Sequence, residues 1–339
     1  MTLAILPTLG VGGVRIFKAE STGPAPNKFT PRIAATTKIL YTIYFAMTVV
    51  QVLAFAWAGL SWFESFVFAF GAVGTGGFSI YNDSLMRYGT NSSAIYAIAL
   101  GMILSGVNFS LYYDLGKRCV RQVWGNSELR LYLAILAVSA LLVSANLYGK
   151  VYTNLGETLK HALFQVSSIM TTTGYSTANF DTWPSFSKGI LFALMFVGGS
   201  AGSTAGSVKV IRLLVAGKVL KREIARTIHP RVATPMTIDG RPIPPEVVQG
   251  VASFYLLYFA VFIGGTLLIS LEGIDLFSAM SAVAATLGNI GPGFGAIGPT
   301  QTFALFSPAS KLLFSFLMLL GRLELFSLFV VFTPGFWRE

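Results

Sequence analysis

The sequence predicts an all-α membrane protein built from repeated units of helix, short loop and helix. Of its 339 residues, 54% are hydrophobic and only 11% are charged, whereas a soluble domain carries about 25% charged residues. Long apolar segments recur, and a short Gly-containing motif appears three times in the same context. The single cysteine, Cys119, excludes a disulfide framework and a Cys-based metal site.

The apolar segments follow one order along the chain. A span, a short apolar run, a polar loop and a second span recur three times, and repeats of this kind indicate a repeated architecture. Segments long enough to cross a membrane cover 39–60, 94–113, 131–147, 189–208, 247–271 and 307–332. The runs too short to span cover 61–72, 155–170 and 275–285. Residues 1–14 resemble the tail of a helix, and a basic polar linker follows them.

The three loops after the short runs share one frame. It consists of Thr or Asn, any residue, Gly, a ring-bearing residue, and Ser or Gly. The copies are Thr75-Gly76-Gly77-Phe78-Ser79, Thr172-Thr173-Gly174-Tyr175-Ser176 and Asn289-Ile290-Gly291-Pro292-Gly293. One copy alone would favour an ordinary turn between helices. Three copies in the same frame favour a shared function.

The physical interpretation of these loops is a cation filter. Backbone carbonyls replace an ion's hydration shell when several loops meet on one axis, as in potassium channels. Glycine suits such a loop because it reaches backbone dihedrals that other residues reach only at a cost. Non-helical backbone at membrane depth is tolerated only when it is buried in protein or lines a water-filled path.

The charge pattern gives all three loops the same side of the membrane. The net charge of +10 comes from basic residues in loops between apolar segments, which determine topology and do not indicate nucleic-acid binding. The basic loops alternate with the filter-like loops, so the filter loops share the outer side. Each short helix then directs its C-terminal end, with about −0.5 charge, toward the membrane middle, where it favours a cation.

The apolar segment 189–208 is interrupted by ten small residues. Gly198, Gly202 and Gly206 have the spacing of a small-xxx-small helix-packing face, and a phosphate loop is excluded because the Gly-Lys-Ser/Thr ending is missing. We favour a broken helix with a polar loop at membrane depth. The residues are Gly198, Gly199, Ser200, Ala201, Gly202, Ser203, Thr204, Ala205, Gly206 and Ser207.

The last apolar segment contains Arg322 and, two residues on, Glu324. An intramembrane Arg costs at least about 2.5 kcal/mol and usually faces a cavity or a partner. Residues two apart on a helix do not face each other, so Glu324 is not expected to pair with Arg322. The alternative is that the helix ends at the cytoplasmic surface.

The remaining candidate residues give weaker predictions. His161 and His229 are the only histidines, and two isolated histidines make neither a metal site nor a catalytic base, so we predict no enzyme. Phe78 and Tyr175 are expected to pack beside the filter. The acidic residues Asp83 and Asp181, which follow the first two loops, either concentrate cations or are solvated.

Five motifs together resemble one family of membrane proteins. They are GTGGFS, TTTGYSTANF, GGSAGSTAGSVKVIR, TLGNIGPGFG and GRLELF. The chain resembles the TrkH/TrkG/KtrB family, the potassium-translocating membrane subunits of bacterial Trk and Ktr uptake systems, with motifs closer to the TrkH branch. The resemblance implies four helix–pore loop–helix repeats around a pseudo-fourfold pore in the inner membrane. It also implies a homodimer and a cytosolic ring of nucleotide-binding regulatory subunits similar to TrkA.

The resemblance assigns roles to the motifs. The three loops become the filter that binds the transported K⁺, 198–207 becomes an intramembrane gating loop below it, and Arg322 faces the pore and contacts that loop. No other cofactor is expected. The chain departs from the family because three filter loops are found where four are expected. Residues 1–13 would end the first repeat, so we expect either a fragment or a further chain that supplies the rest.

These considerations divide the chain into four parts. Residues 1–38 end a preceding repeat, and 39–130, 131–246 and 247–339 each form one pore repeat, with filters at 75–79, 172–176 and 289–293. Two alternatives to potassium uptake stay open. A non-conducting partial subunit is compatible with the missing repeat, and a cation-coupled secondary transporter would also use broken helices at the midplane.

Overall fold

The computed structural model describes residues 33–229, 236–323 and 325–331. The predictions for residues 1–32 and for Glu324 lie outside the described residues. The helices are α1 Ile33–Trp57, α2 Trp62–Val73, α3 Ser92–Ser105, α4 Phe109–Gly116, α5 Val120–Gly125, α6 Ser127–Leu147, α7 Leu155–Met170, α8 Ser185–Leu194, α9 Val210–Ile228, α10 Pro245–Ser270, α11 Leu276–Leu287, α12 Pro308–Arg322 and α13 Leu325–Val331. The strands β1 Thr237–Ile238 and β2 Arg241–Pro242 form a small antiparallel hairpin.

Each predicted unit opens with a long helix that could cross a membrane. In the described residues these candidate spans are Thr37–Trp57 within α1, all of α6 and all of α10. A short helix follows each one, namely α2, α7 and α11. The side chains of Ser61, Asn154 and Asp275 accept hydrogen bonds from the first-turn N–H groups of these short helices. These caps fix where the short helices begin.

The second helix of each unit is broken. Helices α3 and α4 meet at an angle of 92°, so the prediction of one continuous span over 94–113 was wrong. Gly106 ends α3, and the side chain of Asn108 caps α4 by accepting from Ser110 N at 2.9 Å. In the other two units α8 and α9 are separated by residues 195–209, and α12 ends at Arg322. All three breaks lie next to the segment 198–207 or contact it.

The short helices form the centre of the molecule. From Ala282 to Leu287 every residue of α11 is buried, and most of these are alanine, which lets neighbouring backbones approach closely. A Cβ on Gly321 of α12 would lie 1.9 Å from the carbonyl oxygen of Leu287, so this contact requires glycine. The long helices instead expose large apolar side chains such as Phe45 and Leu256, as lipid-facing helices do.

Candidate functional site

The three filter-like loops have the same backbone conformation. In each one the first and third residues have positive φ: Thr75 +48° and Gly77 +64°, Thr172 +57° and Gly174 +86°, Asn289 +55° and Gly291 +104°. Threonine rarely adopts such values, because its branched side chain clashes with the backbone. Three unrelated turns would not share this alternation, so the repeat seen in the sequence is a repeat of structure.

Each loop is attached to the end of its short helix by equivalent hydrogen bonds. The N–H of the second loop residue donates to a carbonyl in the last turn of the helix, and the N–H of the first residue donates one position later. The first set is Gly76 N to Gly71 O (2.8 Å), Thr173 N to Ser168 O (2.9 Å) and Ile290 N to Ala285 O (2.8 Å). The second is Thr75 N to Ala72 O (3.3 Å), Thr172 N to Ile169 O (3.1 Å) and Asn289 N to Thr286 O (3.1 Å).

The loops contact one another in chain order. A Cβ on Gly77 would lie 1.8 Å from Thr173 O, and a Cβ on Gly174 would lie 2.0 Å from Ile290 O. Both positions therefore require glycine, for space as well as for positive φ. The two glycines and Gly291 also line one cavity of about 250 Å³. The convergence of the three loops that the sequence predicts is thus present in the fold.

One side of this arrangement is open. No heavy atom of the described residues lies within 4 Å of a Cβ built on Gly291. Between the third loop and the first lies a larger cavity of about 580 Å³, whose lining includes Gly76, Gly291 and Arg322. The second loop, in contrast, is flanked on both sides, and Thr172 and Thr173 are fully buried.

The aromatic residues of the first two loops have different surroundings. Tyr175 is fully buried, and its ring meets that of Phe68 edge-on at 5.9 Å between centroids. Phe78 is 80% exposed, so the expectation that its ring packs beside the filter was wrong. Its ring borders the 580 Å³ cavity, where no described helix covers it.

The carbonyl groups of these two aromatic residues are already hydrogen-bonded within the protein. The Tyr175 hydroxyl donates to Phe78 O at 3.1 Å, and the Ser168 hydroxyl donates to Tyr175 O at 2.6 Å. These oxygens are therefore directed at protein donors. In the first two loops, only the first three residues keep carbonyls that these side chains do not bind.

The segment 198–207 is not helical, as its composition predicts. Gly198 and Gly202 have positive φ, at +77° and +69°, which a helix-packing face would not allow, so that alternative was wrong. Gly206 lies against the third short helix, and a Cβ there would be 2.6 Å from Gly288 O. We call residues 198–207 the gate loop.

The gate loop is hydrogen-bonded to the inner end of the filter loops. The Thr75 hydroxyl lies 2.9 Å from Thr204 O and donates to it. Gly206 N donates to the Thr172 hydroxyl at 2.6 Å. Thr75 and Thr172 are the first residues of their loops, next to the short-helix ends. The gate loop thus lies at the end of the filter opposite the 250 Å³ cavity.

Thr204 connects the three predicted units. Its carbonyl oxygen also accepts from Arg322 Nη1 at 3.0 Å, so the predicted approach of Arg322 to the gate loop is confirmed. Its hydroxyl lies 2.7 Å from Val73 O and 3.3 Å from Ser105 O. A residue of the middle unit is therefore held by the first unit and the last.

Sequence reasoning missed two buried charged residues that hold the gate loop. Lys209 was counted among basic loop residues, yet it is only 2% exposed and its Nζ donates to Ala205 O and, at 3.4 Å, to Ser203 O. Glu128, at the start of α6, accepts from Ala201 N at 2.6 Å. The position of Lys209 directly between the small-residue run and an apolar helix is the one signal that pointed to it.

Arg212 was also counted among the basic loop residues. It is instead buried in α9, and its guanidinium carbon lies 3.9 Å from the centroid of the Phe254 ring. This cation–π contact stabilises the charge at a desolvated position. The segment that follows the gate loop is therefore a helix packed by its first turns against α10, and not a mobile basic loop.

A carboxylate cluster ties the first short helix to the chain that follows its filter loop. Glu64 accepts hydrogen bonds from the hydroxyls of Tyr81 and Tyr88, both at 2.5 Å, and from Ser61 at 2.7 Å. Partial burial raises the pKa of Glu64, but these donors outweigh it and lower that pKa to about 2. Glu64 is therefore ionised at physiological pH.

The other titratable candidates have protein partners. Asp83 pairs with Arg87 at 3.3 Å, and Asp181 accepts from Gly295 N at 3.2 Å. His161 Nδ1 lies 3.0 Å from the Thr177 hydroxyl, and His229 caps the end of α9. Within the described residues no group of three His, Cys, Asp or Glu residues could hold a metal.

Comparisons with known proteins agree on one family. The family model TrkH, described as a cation transport protein, matches residues 1–338. The Trk system potassium uptake protein TrkH of Salmonella typhimurium is 38% identical over 342 residues, covering 100% of this chain and 70% of that protein. TrkG of Escherichia coli K12 is 29% identical with the same coverage. The crystal structure of the potassium transporter TrkH from Vibrio parahaemolyticus has a TM-score of 0.85 and 35% identity, covering 99% of this chain and 69% of that one.

Proposed function

Because this chain belongs to the TrkH family of cation transport proteins, we propose that it conducts potassium ions into the cell along the axis where its three filter loops converge. Trk transporters are integral proteins of the bacterial inner membrane, and their relatives named here are potassium uptake proteins, not enzymes. The observation that carries the proposal is the alternation of positive φ in three touching loops. The conducting path, the gate and the partners are developed below.

The ligands of K⁺ in this proposal are backbone carbonyls of the first three residues of each loop. These are Thr75, Gly76 and Gly77; Thr172, Thr173 and Gly174; and Asn289, Ile290 and Gly291. The ring-bearing residues Phe78, Tyr175 and Pro292 then shape the outer mouth. Each loop starts at the C-terminal end of a short helix, where the helix dipole contributes about −0.5 charge and favours a cation.

The open side between the third and first loops is where a further pore loop would complete the filter. Gly291 has the positive φ of its counterparts Gly77 and Gly174, and each counterpart has the next loop against it. The 580 Å³ cavity supports this assignment because it lies between Gly291 and Gly76. The family resemblance implies four loops, so the complete transporter is the object to test.

The gate loop closes the inner end of this path. It crosses directly below Thr75 and Thr172, and Arg322, which borders the cavity beside it, donates to Thr204 O. The positive charge of Arg322 also opposes a cation at this depth. Displacement of the gate loop from Arg322 would open the path.

Control of the gate is proposed to come from the cytoplasmic side. The relatives carry the name of a multi-component Trk system, and we propose a homodimer that binds a cytosolic nucleotide-binding ring similar to TrkA. The gate loop continues directly into α9, whose second half carries the basic residues Lys218, Lys221, Arg222 and Arg226. A rotation of this helix would move residues 198–207, so α9 offers a mechanical route from a regulatory partner to the gate.

The proposal is tested by ion flux. The full-length protein, purified and reconstituted in liposomes, is expected to take up Rb⁺ down an imposed gradient, with K⁺ competing more strongly than Na⁺. Uptake that requires a proton or Na⁺ gradient would favour the secondary-transporter alternative. Uptake no faster than into protein-free liposomes would favour a non-conducting subunit.

A further inference from the structure

We infer that the hydroxyls of Thr75 and Thr172 form a cation site at the inner end of the filter, and that the closed gate loop occupies this site in place of the cation. The inference rests on the proposed function and extends it. It makes gate closure and cation binding at the innermost position mutually exclusive. Thr75 then acts both as an ion ligand and as part of the latch.

The first argument is that the gate loop uses the hydrogen-bonding capacity of both hydroxyls. Thr75 Oγ1 donates to Thr204 O at 2.9 Å, and Thr172 Oγ1 accepts from Gly206 N at 2.6 Å. A hydroxyl has one proton and two lone pairs. The bond from Gly206 engages a lone pair of Thr172 that would otherwise be available to a cation.

The second argument is that Thr75 has a second acceptor in place. Its hydroxyl also lies 2.8 Å from Gly74 O, and a single proton cannot serve Gly74 and Thr204 fully at once. When the gate loop leaves, the proton is satisfied by Gly74 O. The lone pairs of Thr75 Oγ1 are then free to bind a monovalent cation, and no buried donor is left unpaired.

The third argument comes from the corresponding residue of the third loop. Asn289 Nδ2 donates to Met318 O at 3.1 Å, on the helix that carries Arg322 four residues later. The first residues of all three loops are therefore bonded either to the gate loop or to the helix that holds it. This arrangement links the inner end of the filter to the gate at every described loop.

The test separates binding from gating by kinetics. Rb⁺ uptake would be measured against Rb⁺ concentration for Thr75→Val, which keeps the shape and removes the hydroxyl, and for Thr75→Ser, which restores it. Thr266→Val is the matched control, because its hydroxyl bonds only within α10, to Phe262 O. Arg322→Ala, which weakens the latch but keeps the hydroxyl, completes the set.

We expect Thr75→Val to raise the maximal rate about fivefold, the shift that one lost hydrogen bond gives to an open–closed equilibrium. It should also raise KM, since a ligand is lost. Thr75→Ser should return both values toward the parent. Arg322→Ala should raise the rate without raising KM. In the Arg322→Ala background Thr75→Val should add less than its effect alone, because both donors share Thr204 O and neighbouring residues are energetically coupled.

Two results would overturn the inference. If Arg322→Ala raises uptake but Thr75→Val changes neither maximal rate nor KM, the gate stands and the shared site does not exist. If Arg322→Ala itself has no effect, the proposed gate fails first.

A second measurement does not depend on conduction. In a Cys119→Ser background, Ala201→Cys on the gate loop should react faster with a small thiol reagent when Thr75 is Val. An unchanged labelling rate would contradict the latch role of Thr75 even if that variant conducts poorly.

Discussion

Arg322 Nη1 lies 3.0 Å from the carbonyl oxygen of Thr204, so the last unit of the chain holds the interrupted helix of the middle unit. This single contact joins a costly intramembrane charge to a backbone carbonyl that has no partner within its own loop. Each group satisfies a need of the other. The arginine obtains an acceptor away from water, and the non-helical loop obtains a donor.

Arg322→Ala is expected to raise Rb⁺ uptake in liposomes by about tenfold, since a charged hydrogen bond of about 1.5 kcal/mol is lost from the closed state. Arg322→Lys should lie between Ala and the parent, because one ammonium can still reach Thr204 O without the fork geometry of arginine. Arg87→Ala is the control, since Arg87 pairs with the exposed Asp83 away from the gate. Normal insertion with uptake no greater than the parent would refute the latch.

The filter glycines give a second prediction. Gly174→Ser should degrade discrimination between K⁺ and Na⁺ more than it lowers expression, because the new Cβ meets Ile290 O at 2.0 Å and sits at positive φ. The control is Gly217→Ser on α9, where a Cβ meets nothing within 4 Å. Unchanged selectivity in Gly174→Ser would count against the filter assignment.

Gly291→Ser extends this comparison to the open side. Within the described residues its Cβ meets no atom, so strain at φ +104° would be its only cost, about 1 kcal/mol. If a further pore loop fills that side in the complete transporter, Gly291→Ser should damage selectivity as severely as Gly174→Ser. A much milder effect would mean that the open side stays open.

Much of this architecture could be predicted because hydropathy and repetition are local signals. The long spans, the short helices and the three loops followed from them. The break at Gly106 could not be predicted, because one glycine in an apolar run is common. That break depends on a non-local bond from Ser200 N to Gly106 O at 2.9 Å.

The buried Lys209 was missed for the same physical reason. Its acceptors are carbonyls of the gate loop, which exist as free acceptors only because that loop is not helical. The surroundings of Phe78 and Tyr175 likewise differ although their motifs match. One ring has a neighbouring unit against it and the other borders the open side, a difference set by the arrangement of units and not by the motif.

The Glu64 cluster leads to a prediction on pH. The folded-state pKa of about 2 lies below the unfolded value of about 4.3, so ionised Glu64 adds stability that is fully present above about pH 5. This contribution is lost as the pH falls toward 2. Glu64→Gln should therefore lower the melting temperature near neutral pH, and the difference from the parent should narrow below about pH 4.

The control for this prediction is Glu223→Gln, since Glu223 pairs with Arg222 and Arg226 on the exposed part of α9. It should change the melting temperature little, because exposed ion pairs contribute about 0–1 kcal/mol. A difference between Glu64→Gln and the parent that stays constant with pH would mean that the carboxylate charge contributes nothing to the cluster.

Tyr175→Phe tests whether a hydrogen bond between units sets the geometry of the filter. The Tyr175 hydroxyl donates to Phe78 O at 3.1 Å and lies 3.4 Å from Phe68 O. A Cβ on Gly71 would lie 2.0 Å from this hydroxyl oxygen, so the first short helix is shaped to admit it. Removing only the oxygen keeps the ring against Phe68 but frees the Phe78 carbonyl to rotate. Rotation would displace the neighbouring carbonyl of Gly77, one of the proposed ligands.

The expected result for Tyr175→Phe is weaker discrimination between Rb⁺ and Na⁺, with a loss of stability of about 1 kcal/mol from one buried hydrogen bond. Tyr132→Phe is the matched control. Tyr132 is also fully buried and donates to one backbone carbonyl, Ile103 O at 2.9 Å, so it should lose similar stability and keep its selectivity. Equal selectivity in the two variants would mean that the first loop holds its shape without the second. The hydrogen bonds from Gly76 and Gly77 to Gly71 O would then be sufficient to fix it.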